Sequence, residues 1–241
     1  MKLIVLGSSS KGNGYVLMNK DEAIVIEAGV RLREVKKAVD YRVSMIKACL
    51  VSHSHNDHGG YAHEYAAAGI NVMGPGDVFV IPHNRNRPVQ PGVRFQAGKF
   101  RVLPFALHHD VTCYGYVIDH PDSGVVAFLT DTYLCEYQIA NVSHWIIECN
   151  YADDILEENI IQGREHPAMR KRLLETHMEL ESTKATISAS GMDSLRTVTL
   201  AHLSDRNSDQ RRFVSEVEAL TGKRVFAAEK GLEVNLEKIP I

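Results

Sequence analysis

Apolar residues in this chain come in short runs, rich in valine and isoleucine and bounded by glycine, serine, asparagine and proline. Runs of that kind predict strands. We place them at Lys2–Leu6, Tyr15–Met18, Ala23–Glu27, Lys47–Val51, Asn71–Met73, Phe100–Leu107, Tyr114–Asp119, Val125–Leu129, Trp145–Cys149, Thr197–Ala201 and Arg224–Ala228. Helical spacing is expected at Arg31–Val39, Tyr61–Ala68, Cys135–Ala140, Ala168–Thr176, Glu179–Ser188 and Ser208–Thr221, and a loop at Pro82–Pro91. Strands dominate the first half and alternate with helices in the second. The expected class is therefore α/β, two sheets covered by helices.

At 241 residues and 44% hydrophobic content, the chain fits a single domain over residues 1–241 with a substantial core. The apolar runs are all far shorter than a membrane span, and Met1–Gly7 is too short in its apolar part for a signal peptide. A soluble cytoplasmic protein without a membrane partner is the expectation. The four cysteines lack CxxC spacing and read as reduced core thiols. A net charge of −3 argues against a generally basic nucleic-acid-binding surface.

One stretch breaks the pattern. Ser52-His53-Ser54-His55-Asn56-Asp57-His58-Gly59-Gly60 puts three of the twelve histidines, and a carboxylate, where a buried strand stops. In an extended segment His53 and His55 point to one side, because side chains alternate. After the turn Asp57 and His58 face a second point, so one loop supplies donors to two cations. Three downstream strand ends carry the same chemistry: His109 in FALHHD, Asp131 in VVAFLTD and His202 in TVTLAHLSDRN. Each alone reads more readily as a hydrogen-bonded structural residue; together they read as metal ligands.

This ordered set, HxHxDH followed by His, Asp and His, resembles the metallo-β-lactamase superfamily. The resemblance implies a four-layer αββα sandwich. It also implies one metal held by His53, His55, His109 and Asp131 and a second by Asp57, His58, Asp131 and His202, with Asp131 bridging. Zinc suits these ligands, and so do manganese and iron; zinc is the first expectation and manganese the second.

The run His109-Asp110-Val111-Thr112-Cys113-Tyr114-Gly115-Tyr116 and the segments around Glu148 and His177 are similar to the ribonuclease Z-like phosphodiesterase branch. By that likeness His177 protonates the leaving oxygen, Glu148 orients His177, and Asp57 assists the attacking water. Met178 stands where that branch usually has Ser or Thr. The long protruding arm of ribonuclease Z is missing. The closing TGKRVFAAEKGLEVNL and the helix start at His177 resemble the phage anti-Pycsar phosphodiesterases, which cleave cyclic CMP and cyclic UMP. Related bacterial single-domain hydrolases suggest a DNA or RNA nuclease as the alternative. The likeness further implies a homodimer, with Arg164, Arg170, Lys171 and Arg172 near the subunit contact. Gly7–Tyr15 reads first as a tight hairpin turn and second as a phosphate cradle.

Overall fold

A computed structural model describes residues 1–237 of the chain. The first sheet contains β1 (Lys2–Gly7), β2 (Gly14–Met18), β3 (Ala23–Ile26), β4 (Ile46–Leu50), β5 (Val72–Gly74) and β6 (Asn86–Pro88). The second contains β7 (Phe95–Ala97), β8 (Phe100–Leu107), β9 (Cys113–His120), β10 (Gly124–Leu129), β11 (Val142–Glu148), β12 (Thr197–Ala201) and β13 (Arg224–Ala227). β14 (Glu233–Asn235) returns to the first sheet, whose order is β14-β1-β2-β3-β4-β5-β6; the second runs β13-β12-β11-β10-β9-β8-β7. Both sheets follow one scheme: antiparallel pairing through β1–β3 and β7–β10, then parallel pairing through β3–β6 and β10–β13.

Parallel strands need covered crossovers. The cover comes from α1 (Leu32–Ala38), α2 (Asn56–Gly59) and α3 (Ala62–Ala67) on the first sheet. On the second it comes from α4 (Asp153–Ile161), α5 (Pro167–Thr176), α6 (Leu180–Ala189) and α7 (Gln210–Thr221). Strand β3, Ala-Ile-Val-Ile, shows why both faces of a strand are apolar here. Ile24 and Ile26 pack between the sheets against residues such as Phe100, Ile118 and Phe128. Ala23 and Val25 face the other way, onto Leu32, Val35 and Tyr65 of the helical layer. On the second sheet Trp145, Ile147, Val198 and Leu200 pack against Ile187 of α6 and Phe213 and Val217 of α7. Four layers follow, αββα, as expected. Among the described residues no helix is long and apolar enough to cross a membrane.

Departures from the expected elements are local. Cys135–Ala140 forms no helix. The stretch is too short to nucleate one unaided, and its neighbours claim its polar groups: Thr132 Oγ1 donates to the Leu134 carbonyl and the Ile139 amide donates to Ser190 Oγ. The Pro82–Pro91 loop contains β6, an edge strand where Pro88 costs no inner ladder bond. Strands β7 and β14, three residues each, were too short to show a period. Two full helices, α4 and α5, lie between Cys149 and His177 where one short segment was expected. Cys49, Cys113 and Cys149 are buried and Cys135 is half-buried; all four are free thiols.

The layers are also tied by polar groups near the important end. Fully buried Tyr116 on β9 donates from its hydroxyl to the Val51 carbonyl, 2.6 Å away, just past β4 of the opposite sheet. Tyr116→Phe should leave that carbonyl underpaired and lower stability by about 1–2 kcal/mol, measured by urea denaturation.

Candidate metal centre

All the donors sit at carboxyl ends of strands, along one edge of the sandwich. β4 ends at Leu50 and delivers His53, His55, Asp57 and His58; β8 delivers His109, β10 Asp131, β11 Glu148 and β12 His202. That edge is where open α/β sheets hold ligands. Three of the site's strand-end residues, Glu27, Asp131 and His202, have left-handed backbone (φ 69°, 45° and 53°). For a side chain with a Cβ this conformation is strained, and it persists where the surroundings over-determine it.

The first group of donors is His53, His55, His109 and Asp131, with one ligating atom from each, all within 4.8 Å of one another. His53 Nε2 is 3.1 Å from His55 Nδ1, which is 3.3 Å from His109 Nε2. The second group is Asp57, His58 and His202. Here His58 Nε2 lies 3.4 Å from Asp57 Oδ2 and His202 Nε2 lies 3.8 Å from it. Asp131 stands between the groups: its Oδ2 is 3.7 Å from His53 Nε2, 3.9 Å from His109 Nε2 and 3.4 Å from His58 Nε2. The structure thus brings together all seven residues that the sequence singled out.

The arrangement fits divalent cations on its own evidence. Asp57, Asp131 and Glu148 converge, and among the described residues no lysine or arginine pairs with any of them. Nε2 of His202 is buried without a hydrogen-bond partner. An orphaned buried nitrogen costs about 1–3 kcal/mol, a cost removed when it ligates a cation. Nitrogen and oxygen donors without thiolate are what zinc, manganese or iron take.

The local field agrees. Burial works against charge on His58 and His202, yet Asp131, with Glu27 beside the first and Asp57 and Glu148 beside the second, raises both well above the ordinary imidazole range. The negative field that favours a proton there favours a metal ion. His53 is buried among other imidazoles and is pushed down to about 2, the neutral form that a ligand requires. Asp57 resists the upward pull of burial because the imidazoles of His202 and His58 stand beside it, and it stays ionised far below the usual carboxylate range.

Glu148 belongs to the surrounding shell. Its fully buried carboxylate accepts from the Thr132 and Met178 amides at Oε2 (3.1 and 3.2 Å), and from His177 Nδ1 (2.7 Å) and His202 Nδ1 (3.0 Å) at Oε1. Those four bonds occupy its acceptor capacity. Burial would raise its pKa, but His177 overrides that and lowers it. In return Glu148, against the effect of burial, holds the His177 imidazole above its ordinary value.

Two supports were not singled out from the sequence. Glu27 closes β3, is fully buried, and accepts from the Ser52 amide through Oε2 at 3.2 Å. Its Oε1 lies 3.5 Å from His58 Nδ1, and neither atom has another partner. A carboxylate ending the apolar run Ala-Ile-Val-Ile was the available signal, the same one that marks Glu148. The second support is the Gly7–Gly14 loop. Ser8 Oγ accepts from the His202 amide at 2.8 Å, and Asn13 Nδ2 donates to the Asp57 carbonyl at 3.2 Å and sits 2.9 Å from His58 Nε2. The loop is more than a hairpin turn; it braces the second group. Gly29 lets it approach, since a Cβ there would fall 1.7 Å from the Asp57 carbonyl oxygen.

Glu27→Gln should leave the fold intact and weaken binding of a divalent cation by about 10- to 100-fold, the usual effect of losing an outer partner of a metal-ligating histidine. Isothermal titration of the apo-protein with zinc or manganese checks it.

Comparison with known proteins gives this geometry a family. The fold is similar to the metallo-beta-lactamase fold protein YhfI from Bacillus subtilis, with TM-score 0.74 and 19% identity over 97% of this chain and 99% of that one. It is similar to a diphosphatase of the PhnP family (TM-score 0.67, 14% identity, 98% of each chain). Human tRNase Z, short form, aligns over 100% of both chains with TM-score 0.65 and 14% identity. At these identities the likeness is one of fold. No curated protein sequence matches the chain. Residues 10–136 match the sequence profile of the Metallo-beta-lactamase superfamily. With that match over more than half its length and the His/Asp donor set at its sheet edge, the chain belongs to the metallo-beta-lactamase superfamily and is a metal-dependent hydrolase.

Proposed function

We propose that the protein is a dinuclear-metal phosphodiesterase that hydrolyses cyclic mononucleotides, of the kind phages use against Pycsar defence signals. The carrying observation is Asp131 lying within reach of both donor groups, beside a histidine held by a buried carboxylate. In this reading His53, His55, His109 and Asp131 hold one cation and Asp57, His58, Asp131 and His202 the other; both are zinc, with manganese the alternative. Bound there, divalent cations supply acidified water and neutralise charge at the phosphorus under attack.

The chain's own residues do the rest. His177 donates Nδ1–H to Glu148, which leaves Nε2 as the nitrogen that carries a proton toward the leaving oxygen. Glu148 keeps that proton on the ring, and the Met178 amide bond to Glu148 fixes the segment that carries it. Asp57, ionised and fixed by His58 and His202, orients the attacking water. Next to His177 and His202 opens a cleft of about 270 Å³, lined also by Ser9, Asn150, Arg172 and Arg206. Its size supports a small substrate. The two arginines favour a second reading, a DNA or RNA nuclease. The same reading makes the protein a homodimer meeting along α5, which bears Arg170, Lys171 and Arg172 and exposed Leu174.

Incubation of metal-loaded protein with a panel of 3′,5′-cyclic mononucleotides tests the reading. Turnover of at least one supports it. No turnover of any, with salt-sensitive cleavage of labelled single-stranded DNA or RNA, transfers the assignment to the nuclease. Asp131→Ala should abolish activity and lower metal content. His177→Ala should slow turnover by about 10²- to 10⁴-fold with both cations retained by elemental analysis.

A further inference from the structure

Next to the cleft lies a larger cavity, of about 680 Å³, that the reading above leaves unused. Ser9, Leu203, Ser204 and Asp205 line both, so the two are continuous. One wall is the Gly7–Gly14 loop, and the other is the pair of turns after β12 and β13. Surplus donors set its chemistry. Ser8 Oγ accepts from the His202 amide and from the hydroxyl of buried Tyr15, both at 2.8 Å. Ser9 Oγ accepts from the Lys11 amide at 3.2 Å, and Ser204 Oγ from the Asn207 and Arg206 amides at 3.2 and 3.4 Å. Each oxygen is engaged as an acceptor, and among the described residues none of the three hydroxyl protons has an acceptor of its own. Lys11 and Lys230 line the same cavity, exposed and, among the described residues, outside any ion pair. Asp205 and Glu229 match them in number, but Glu229 is held by the Gln210 side-chain amide at 2.6 Å. Hydroxyl and ammonium donors without acceptors are what a phosphate group satisfies.

We propose that this cavity is a second phosphate subsite, and that it gives the protein a further activity: hydrolysis of linear phosphodiesters whose leaving nucleoside carries another phosphate. The inference rests on the phosphodiesterase reading above but needs no cyclic substrate. His177, which protonates the leaving oxygen in that reading, lines the cleft, so the cavity continuing from the cleft receives what hangs from that oxygen. In the reaction the oxygen of water bonds to phosphorus and the bond from phosphorus to the leaving oxygen breaks. The leaving oxygen takes the proton of His177 Nε2, and the proton that the water gives up restores His177 by way of solvent. A cyclic mononucleotide has one phosphate and occupies the cleft alone.

The test compares a dinucleoside monophosphate with the same compound phosphorylated at its 5′ or its 3′ end, alongside a cyclic mononucleotide. One of the two terminal phosphates should lower KM at least about tenfold with kcat little changed, the effect of hydrogen bonds to a charged group. In the double variant Lys11→Ala, Lys230→Ala that advantage should be lost, while turnover of the cyclic mononucleotide, where wild type shows it, stays the same. Both side chains are exposed, so circular dichroism of the variant should match wild type. If neither terminal phosphate lowers KM, or if the variant keeps the advantage, the subsite is overturned and the phosphodiesterase reading stands. If wild type turns over no phosphodiester, linear or cyclic, that reading falls, and isothermal titration of the metal-free protein with a nucleoside 3′,5′-bisphosphate decides the subsite separately. Binding that the double variant loses supports it; no binding, or equal binding by the variant, overturns it.

Discussion

The buried carboxylate of Glu148 is the constraint on which the rest of the catalytic edge depends. A carboxylate at the end of an apolar strand, with no exposure, must be matched by donors or it will not stay ionised. The four donors it finds come from the end of β10, the start of the β12 turn and the segment entering α6. Satisfying one side chain thus fixes Thr132 next to Asp131, orients His202, and sets His177 at the mouth of the cleft. Lys or Arg in its place would satisfy none of these groups. Gln would offer a donor where two imidazole N–H groups already point.

That requirement also accounts for the strained backbone. Glu27, Asp131 and His202 each turn through a left-handed conformation at a strand end, a departure that costs of order 1–3 kcal/mol apiece. The energy is offset by the four-layer core beneath, where Tyr15, Phe128, Trp145 and Phe213 are fully buried. Rigid strands hold the site, and the turns that follow them aim it. A metal-dependent hydrolase needs its ligands in place before the ion arrives, and this division of labour supplies that.

Much of the edge was legible in the sequence because its chemistry interrupts a pattern. Apolar strand runs that end in His53, His109, Asp131, Glu148 or His202 stand out against period-two burial, and the structure gathers those residues. Glu27 broke the same pattern at the end of Ala-Ile-Val-Ile and was passed over because no second polar residue follows it. Asn13 and Ser8 were unreadable as supports: their contacts with residues 57, 58 and 202 are set by tertiary packing across most of the chain, which composition does not encode. The misplaced helix at Cys135–Ala140 and the unforeseen strands β6, β7 and β14 share one cause. Segments of three to six residues carry too little periodicity to outweigh the partners that pairing and loop contacts bring to them.

The matching pairing schemes of the two sheets place the donors on both sides of a seam: His53 through His58 come from the first sheet, His109, Asp131 and His202 from the second. Neither half holds a complete ligand set. An ion held by donors from both sheets would favour the docked chain over every partly opened one, so free cation concentration would enter the folding equilibrium itself, as a logarithmic gain in resistance to unfolding.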